Sequence, residues 1–110
     1  MISDAIRSRY LRDPLPVRLG GLAADLARIA SFAGHPGHKD IIASLLEEGK
    51  WFAEWAAADA PLEIQAELAE VQVLLAVWQR RWLRGEVEPL VPEQAKQWSD
   101  RLLQLSGLIE

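Results

Sequence analysis

The sequence predicts an all-α protein: an up-down-up-down four-helix bundle with a short N-terminal helix, all in one domain, 1–110. Three observations predict it. Apolar residues recur at alternating steps of three and four through four long segments, the period of one face of a helix. Each of those segments opens at a proline, which a helix accepts in its first turn because the missing N–H has no partner there anyway. And no stretch alternates with a period of two over a useful length, so no strand is expected.

Taken in order, residues 1–13 hold the short helix, with Ile2, Ile6 and Tyr10 on one side. The first long helix is expected over 16–33, where Leu19, Leu22, Leu26, Ile29 and Ala33 form a stripe and Gly34 supplies the stop. The second, over 36–58, places Ile42, Leu45, Gly49, Phe52 and Ala56 on one side. Gly49 costs about 1 kcal/mol inside a helix, which makes it the one point where this helix would break. The third, over 61–84, is the most regular. Ile64, Leu68, Val71, Leu75, Trp78 and Trp82 keep the spacing without a fault, and Gly85 ends it. The last, over 92–106, carries Ala95, Trp98, Leu102 and Leu105 before Gly107. Short connections force sequential helices to run antiparallel, and a bundle follows.

Composition narrows the class. With 110 residues, half of them apolar and a quarter charged, the chain can bury one core without staples. There is no cysteine, hence no disulfide, thiolate nucleophile or thiolate metal ligand. No apolar run approaches signal-peptide or membrane-span length, so a cytoplasmic protein with no membrane partner is expected. The net charge of −4 is uneven: residues 1–39 carry six basic against three acidic side chains, and the remainder six against thirteen. The acidic majority disfavours nucleic acid, which needs a concentrated basic face. The N-terminal arginines are expected to pair with acids elsewhere in the fold.

The runs "RLGGLAADLARIASFA", "WQRRW" and "QWSDRLLQLSGLIE" resemble a group of small helical proteins found in cyanobacteria. They cover about a third of the chain and include no catalytic signature. The resemblance implies a free-standing helical domain and no activity.

Candidate chemistry is sparse. His35, His38 and Asp40 lie together in "GHPGHKD", a donor set suited to zinc, but convergence across a Pro-Gly turn has no fourth ligand to complete it. The simpler reading has His35 capping one helix and Asp40 placing negative charge in the first turn of the next. No cofactor is expected, and a di-iron site is excluded in its usual form because neither histidine follows a glutamate by three. Glu63, Glu67 and Glu70 form a row on the flank of a core stripe, a solvated face. Glu48 projects between Ile41 and Trp55 near the apolar side, where a carboxylate needs an arginine or acquires a raised pKa. Gly20-Gly21 suggests close helix approach. Gln65, Gln72 and Gln79, seven apart, suggest helix register or recognition of a polar ligand. Arg28 and His35 resemble the loose Arg-x6-His pair of the HEPN helical ribonucleases, although His35 falls beyond the helix stop and Ile29 stands where that family prefers a polar residue.

The tryptophans divide. Trp78, Trp82 and Trp98 lie in core stripes, whereas Trp55 sits about 100° and Trp51 about 140° from the centre of theirs. Trp51 is expected to stay substantially exposed and Trp55 to be buried at the bundle edge. The third helix is apolar nearly all round, with Leu74 on the flank and Val73 and Val77 on the far side. Such a face is normally covered. Trp51, Trp55, Val73, Leu74 and Val77 are therefore the candidate interaction residues of a non-enzymatic protein acting through protein–protein contact, expected to be a homodimer or to bind another protein. A pocket lined by Trp51, Trp55 and Gln72 for a small molecule is the alternative, and a metal-independent ribonuclease the second.

Overall fold

The computed structural model describes residues 3–33, 35–86 and 91–108. Ile2 and the stop at Gly34 lie outside them. Five α-helices and no strand are present among the described residues: α1 (Asp4–Arg12), α2 (Leu15–Phe32), α3 (Lys39–Ala58), α4 (Leu62–Leu83) and α5 (Val91–Ser106). The all-α bundle is the observed fold.

Each end has a local cause. The Ser3 hydroxyl accepts from the Ile6 amide at 3.2 Å, and Asp4 with Arg9 and Arg12 complements the dipole of α1. Helix α4 closes in a Schellman motif: the Gly85 amide donates to the Trp82 carbonyl and the Glu86 amide to the Arg81 carbonyl, both at 3.0 Å. Gly85, at φ +74°, occupies the left-handed position that this motif requires. The helix expected from residue 36 begins later. Pro36–His38 form one turn of 3-10 helix and α3 starts at Lys39. His35 is extended, as the residue before a proline tends to be, and Gly37 is a poor helix former.

Gly49 does not break α3. It lies where three helices meet, and a Cβ there would stand 3.2 Å from Leu75 Cδ1 on α4 and 3.7 Å from Leu22 Cδ1 on α2. The close approach offsets the propensity cost. Around it Leu19, Leu22, Leu26, Ile29, Ile42, Leu46, Leu68 and Leu75 are buried. At Gly20 a Cβ would meet Leu108 Cδ1 at 2.9 Å, but that is the end of an exposed side chain that can turn away, so close helix approach does not demand glycine there.

Neighbouring helices run antiparallel: Arg18 of α2 reaches Asp59 at the end of α3, and Trp82 of α4 donates to the Lys39 carbonyl at the start of α3. Helix α5 returns along α2, where the Ser99 hydroxyl donates to the Ala23 carbonyl at 2.8 Å and small residues permit close packing. Three of the four bundle seams are extensive. The fourth, α4 against α5, is slight and is bridged by Arg101, whose Nε and Nη2 donate to Glu67 at 2.6 and 2.9 Å. The result is thin for a bundle, 35 × 31 × 20 Å.

The core rings follow the stripe in part. Trp78 is buried; Trp82 and Trp98 are half-buried at its margin, correcting the expectation that all three fill the core. Trp82 stands in the last turn of α4, where fewer neighbours remain to cover a ring this large, whereas Trp98 lies at the middle of α5, a helix whose seam with α4 is slight.

Candidate functional site

The outward side of α4 carries the largest aliphatic exposure in the middle of any helix. Val73 is 64% exposed and Val77 42%, while Leu74 is half-buried against the edge of the core. With Ala69 and Glu70 they line an open apolar groove of about 430 Å³. The cause is in the sequence: "VQVLLAVW" supplies apolar residues to both sides of one helix, and the core takes only Val71, Leu75 and Trp78. Helix α1 does not cover this groove. It packs on α3 instead.

Trp51 and Trp55 belong to a different surface. Their rings lie 5.8 Å apart on α3, in a groove of about 540 Å³ walled also by Asp4, Arg7, Leu11, Glu54, Ala58 and Asp59. The two grooves share no lining residue, and Gln72 is not among the walls of the tryptophan groove. Trp55 is buried as expected, against Tyr10 and Phe52 and beneath the Arg7 guanidinium at 5.8 Å. Trp51 is half-buried rather than substantially exposed. Its indole donates to Glu47 Oε1 at 2.9 Å, which folds the ring down against its own helix.

Glu47 is also the acceptor for Gln79 of α4, whose carbonyl in turn accepts from Lys50 at 2.8 Å. These donors, Gln79 first and Trp51 next, hold Glu47 below the usual carboxylate range. Gln79 therefore fixes the register of α4 on α3, the structural role among those its spacing suggested.

A second polar group is buried where Glu48 points. Its neighbour is not an arginine but another acid, Asp25 of α2, only 2% exposed. No N–H or O–H donor reaches the buried Asp25 Oδ2, so the two carboxyls can bond only if one keeps its proton. Burial first, then the Glu48 charge and the shared hydrogen bond, pushes the Asp25 pKa up to about 8, against a weak opposing pull from Arg28 at 3.6 Å. Beside this pair the Tyr10 hydroxyl donates to the Arg18 carbonyl at 2.7 Å, and its ring stacks on Phe52 at 3.8 Å. Burial raises the phenol pKa, so it stays a donor. A cleft of about 290 Å³ lined by Ile6, Arg9, Tyr10, Asp13, Glu48 and Phe52 reaches the Glu48 side of the pair; Asp25 is not among its walls.

Asp25 escaped the sequence reading, although a signal was present. In "LAADLARI" it falls one turn before Ile29 and three after Leu22, inside the apolar stripe. An acid in that place must be buried with a partner or a proton.

The remaining candidates are separated or already occupied. Among the described residues no three histidine, aspartate or glutamate side chains converge as metal ligands. His35 makes its helix-end hydrogen bond through its backbone, to Phe32, and no side-chain cap is formed there; Asp40 does lie in the first turn of α3. His38 packs edge-on against Phe32 and His35. Arg28 remains on α2 beside Asp25, and His35 lies beyond the helix, so the Arg-x6-His pair does not share a helix face. Of the N-terminal arginines, Arg18 pairs with an acid elsewhere in the fold, Asp59 at 2.9 Å, as expected; Arg28 approaches Asp25 of its own helix, and Arg7 lies over the Trp55 ring and not on an acid.

No protein family matches the chain, and neither the curated proteins nor the solved structures contain a match.

Proposed function

We propose that the chain is a non-enzymatic helical-bundle protein that works through protein–protein contact, as a cytoplasmic homodimer, with the outward side of α4 as its contact surface. One observation carries this reading: Val73 and Val77 stand open in mid-helix, with the apolar groove between them and Leu74 left uncovered by α1 or α5. Apolar anchors of this kind dominate contact energies when a partner dries them. No helix among the described residues is long and apolar enough to cross a membrane.

The test is sedimentation of the wild type and of Val77→Glu across a concentration series. The wild type is expected to move from monomer to dimer, and the variant to remain monomeric with its helicity and melting little changed. A wild type that is monomeric throughout overturns the homodimer. A variant that unfolds places this side of α4 in the core.

The tryptophan groove supports a second reading, a small-molecule module. Its mixed lining, two indoles with Arg7, Asp4 and Glu54, fits a flat ligand with a polar edge. Ligand-dependent quenching of Trp51 fluorescence, lost in Trp51→Phe, would favour it.

A further inference from the structure

Helix α4 has a charge gradient that bears on how a partner would lie on it. Its acids, Glu63, Glu67 and Glu70, are all in the first half, and its bases, Arg80 and Arg81, are in the last turns, with Arg84 as the cap. The apolar outer residues run the full length between them. Leu62 at one end and Leu83 at the other are each 77% exposed, and Val73 stands at the middle of the helix.

Building on the contact reading above, we propose that the occupant of this face is a second copy of the chain, with its α4 antiparallel to the first about a two-fold axis at Val73. A surface that is apolar along its axis and acidic at one end, basic at the other, is complementary to itself only when reversed. With Val73 opposite Val73, Ala69 faces the second copy's residue 77, Ala66 faces residue 80, and Leu62 faces residue 84. The guanidinium groups of Arg80 and Arg84 then lie within one helical turn of the other copy's Glu63, and their alkyl stems cover Ala66 and Leu62. A parallel arrangement would set Glu63 beside Glu63 and Arg80 beside Arg80, which is repulsive. Opposed macrodipoles favour the same choice. A two-fold axis makes the contact isologous and closed, so dimers form and not filaments. One helix pair about 33 Å long is a small interface, and the dimer should dissociate on dilution.

Because the chain has no cysteine, introduced thiols report the geometry directly. Single variants Val73→Cys, Ala69→Cys, Val77→Cys and Leu62→Cys, all at exposed positions, are oxidised in a glutathione buffer after circular dichroism confirms their fold. Val73→Cys is expected to cross-link to itself. A mixture of Ala69→Cys and Val77→Cys should give the mixed disulfide several-fold faster than either gives its own homodimer, and Leu62→Cys should not self-link. Self-linking by Leu62→Cys, with the wild type dimeric in sedimentation, overturns the antiparallel arrangement and leaves the contact reading standing. A dimeric wild type with no cross-link from any of the four overturns the use of this face. A wild type that never dimerises removes the reading on which the proposal rests.

Discussion

Asp25 shows how one buried group sets the pH response of the fold. In the unfolded chain its carboxyl titrates near 3.8, and in the bundle near 8, because loss of water first and Glu48 of α3 next oppose its charge, while Arg28 compensates little. Between those values the folded state holds a proton that the unfolded state has released. Stability is therefore full below about pH 4 and falls as pH rises toward 8, by at most about 1.4 kcal/mol per pH unit from this group. Asp25→Asn removes the cost of ionisation and offers its amide to Glu48. The variant should melt above the wild type at pH 8 and should flatten the slope between pH 5 and 8. A wild-type Tm that rises over that interval, or an Asn variant with the same slope, would show that Asp25 is ionised in the fold. What the sequence disclosed here was half of the pair. Glu48 was visible as a carboxylate near an apolar side, but its partner lies 23 positions away on another helix, and spacing along one helix does not reveal which residues meet across two.

Single helices were the most legible part of the sequence for a physical reason: a stripe with a 3.6-residue period can bury itself in only one way. Leu68, Val71, Leu75 and Trp78 of α4 are buried as their spacing requires. The errors cluster at ends and flanks. Pro36–His38 stay outside the helix because a local Pro-Gly pair outweighs a distant stripe, Trp82 is half-buried at the C-terminal end of α4, and Trp98 is half-buried at the middle of α5. Trp51, expected from the wheel to be substantially exposed, is half-buried because its hydrogen bond to Glu47 folds it down, and no pattern of apolar residues encodes that. These differences give a graded expectation for α4. Trp78→Ala empties a buried site and should cost roughly 3–5 kcal/mol, whereas Trp82→Ala, half-buried with one hydrogen bond to the Lys39 carbonyl, should cost roughly 1–3 kcal/mol. Chemical denaturation of both variants at one pH settles the order. Equal losses would mean that the C-terminal end of α4 is packed as deeply as its centre.

For the whole molecule, the unequal seams imply unequal stability. Helices α2 and α3 each pack along two long neighbours, α2 between α5 and α3, and α3 between α2 and α4. Helix α1 touches the bundle chiefly through Tyr10, whose ring lies on Phe52 and whose hydroxyl holds the Arg18 carbonyl. The α4–α5 seam rests on the exposed Arg101–Glu67 pair, and exposed pairs of this kind add little. Local opening should therefore begin at α1 and leave α2 and α3 protected until global unfolding. Native-state hydrogen exchange is expected to show α1 amides exchanging at least about tenfold faster than those around Leu46 and Phe52, a gap of about 1.4 kcal/mol. Tyr10→Phe removes the hydroxyl but keeps the ring, and should speed exchange in α1 while leaving the centre of α3 almost unchanged. If α1 proves as slow as α3, or if the variant loosens both together, the N-terminal helix belongs to one cooperative unit with the bundle. Tyr10 would then be part of its core and not the anchor of an appended helix.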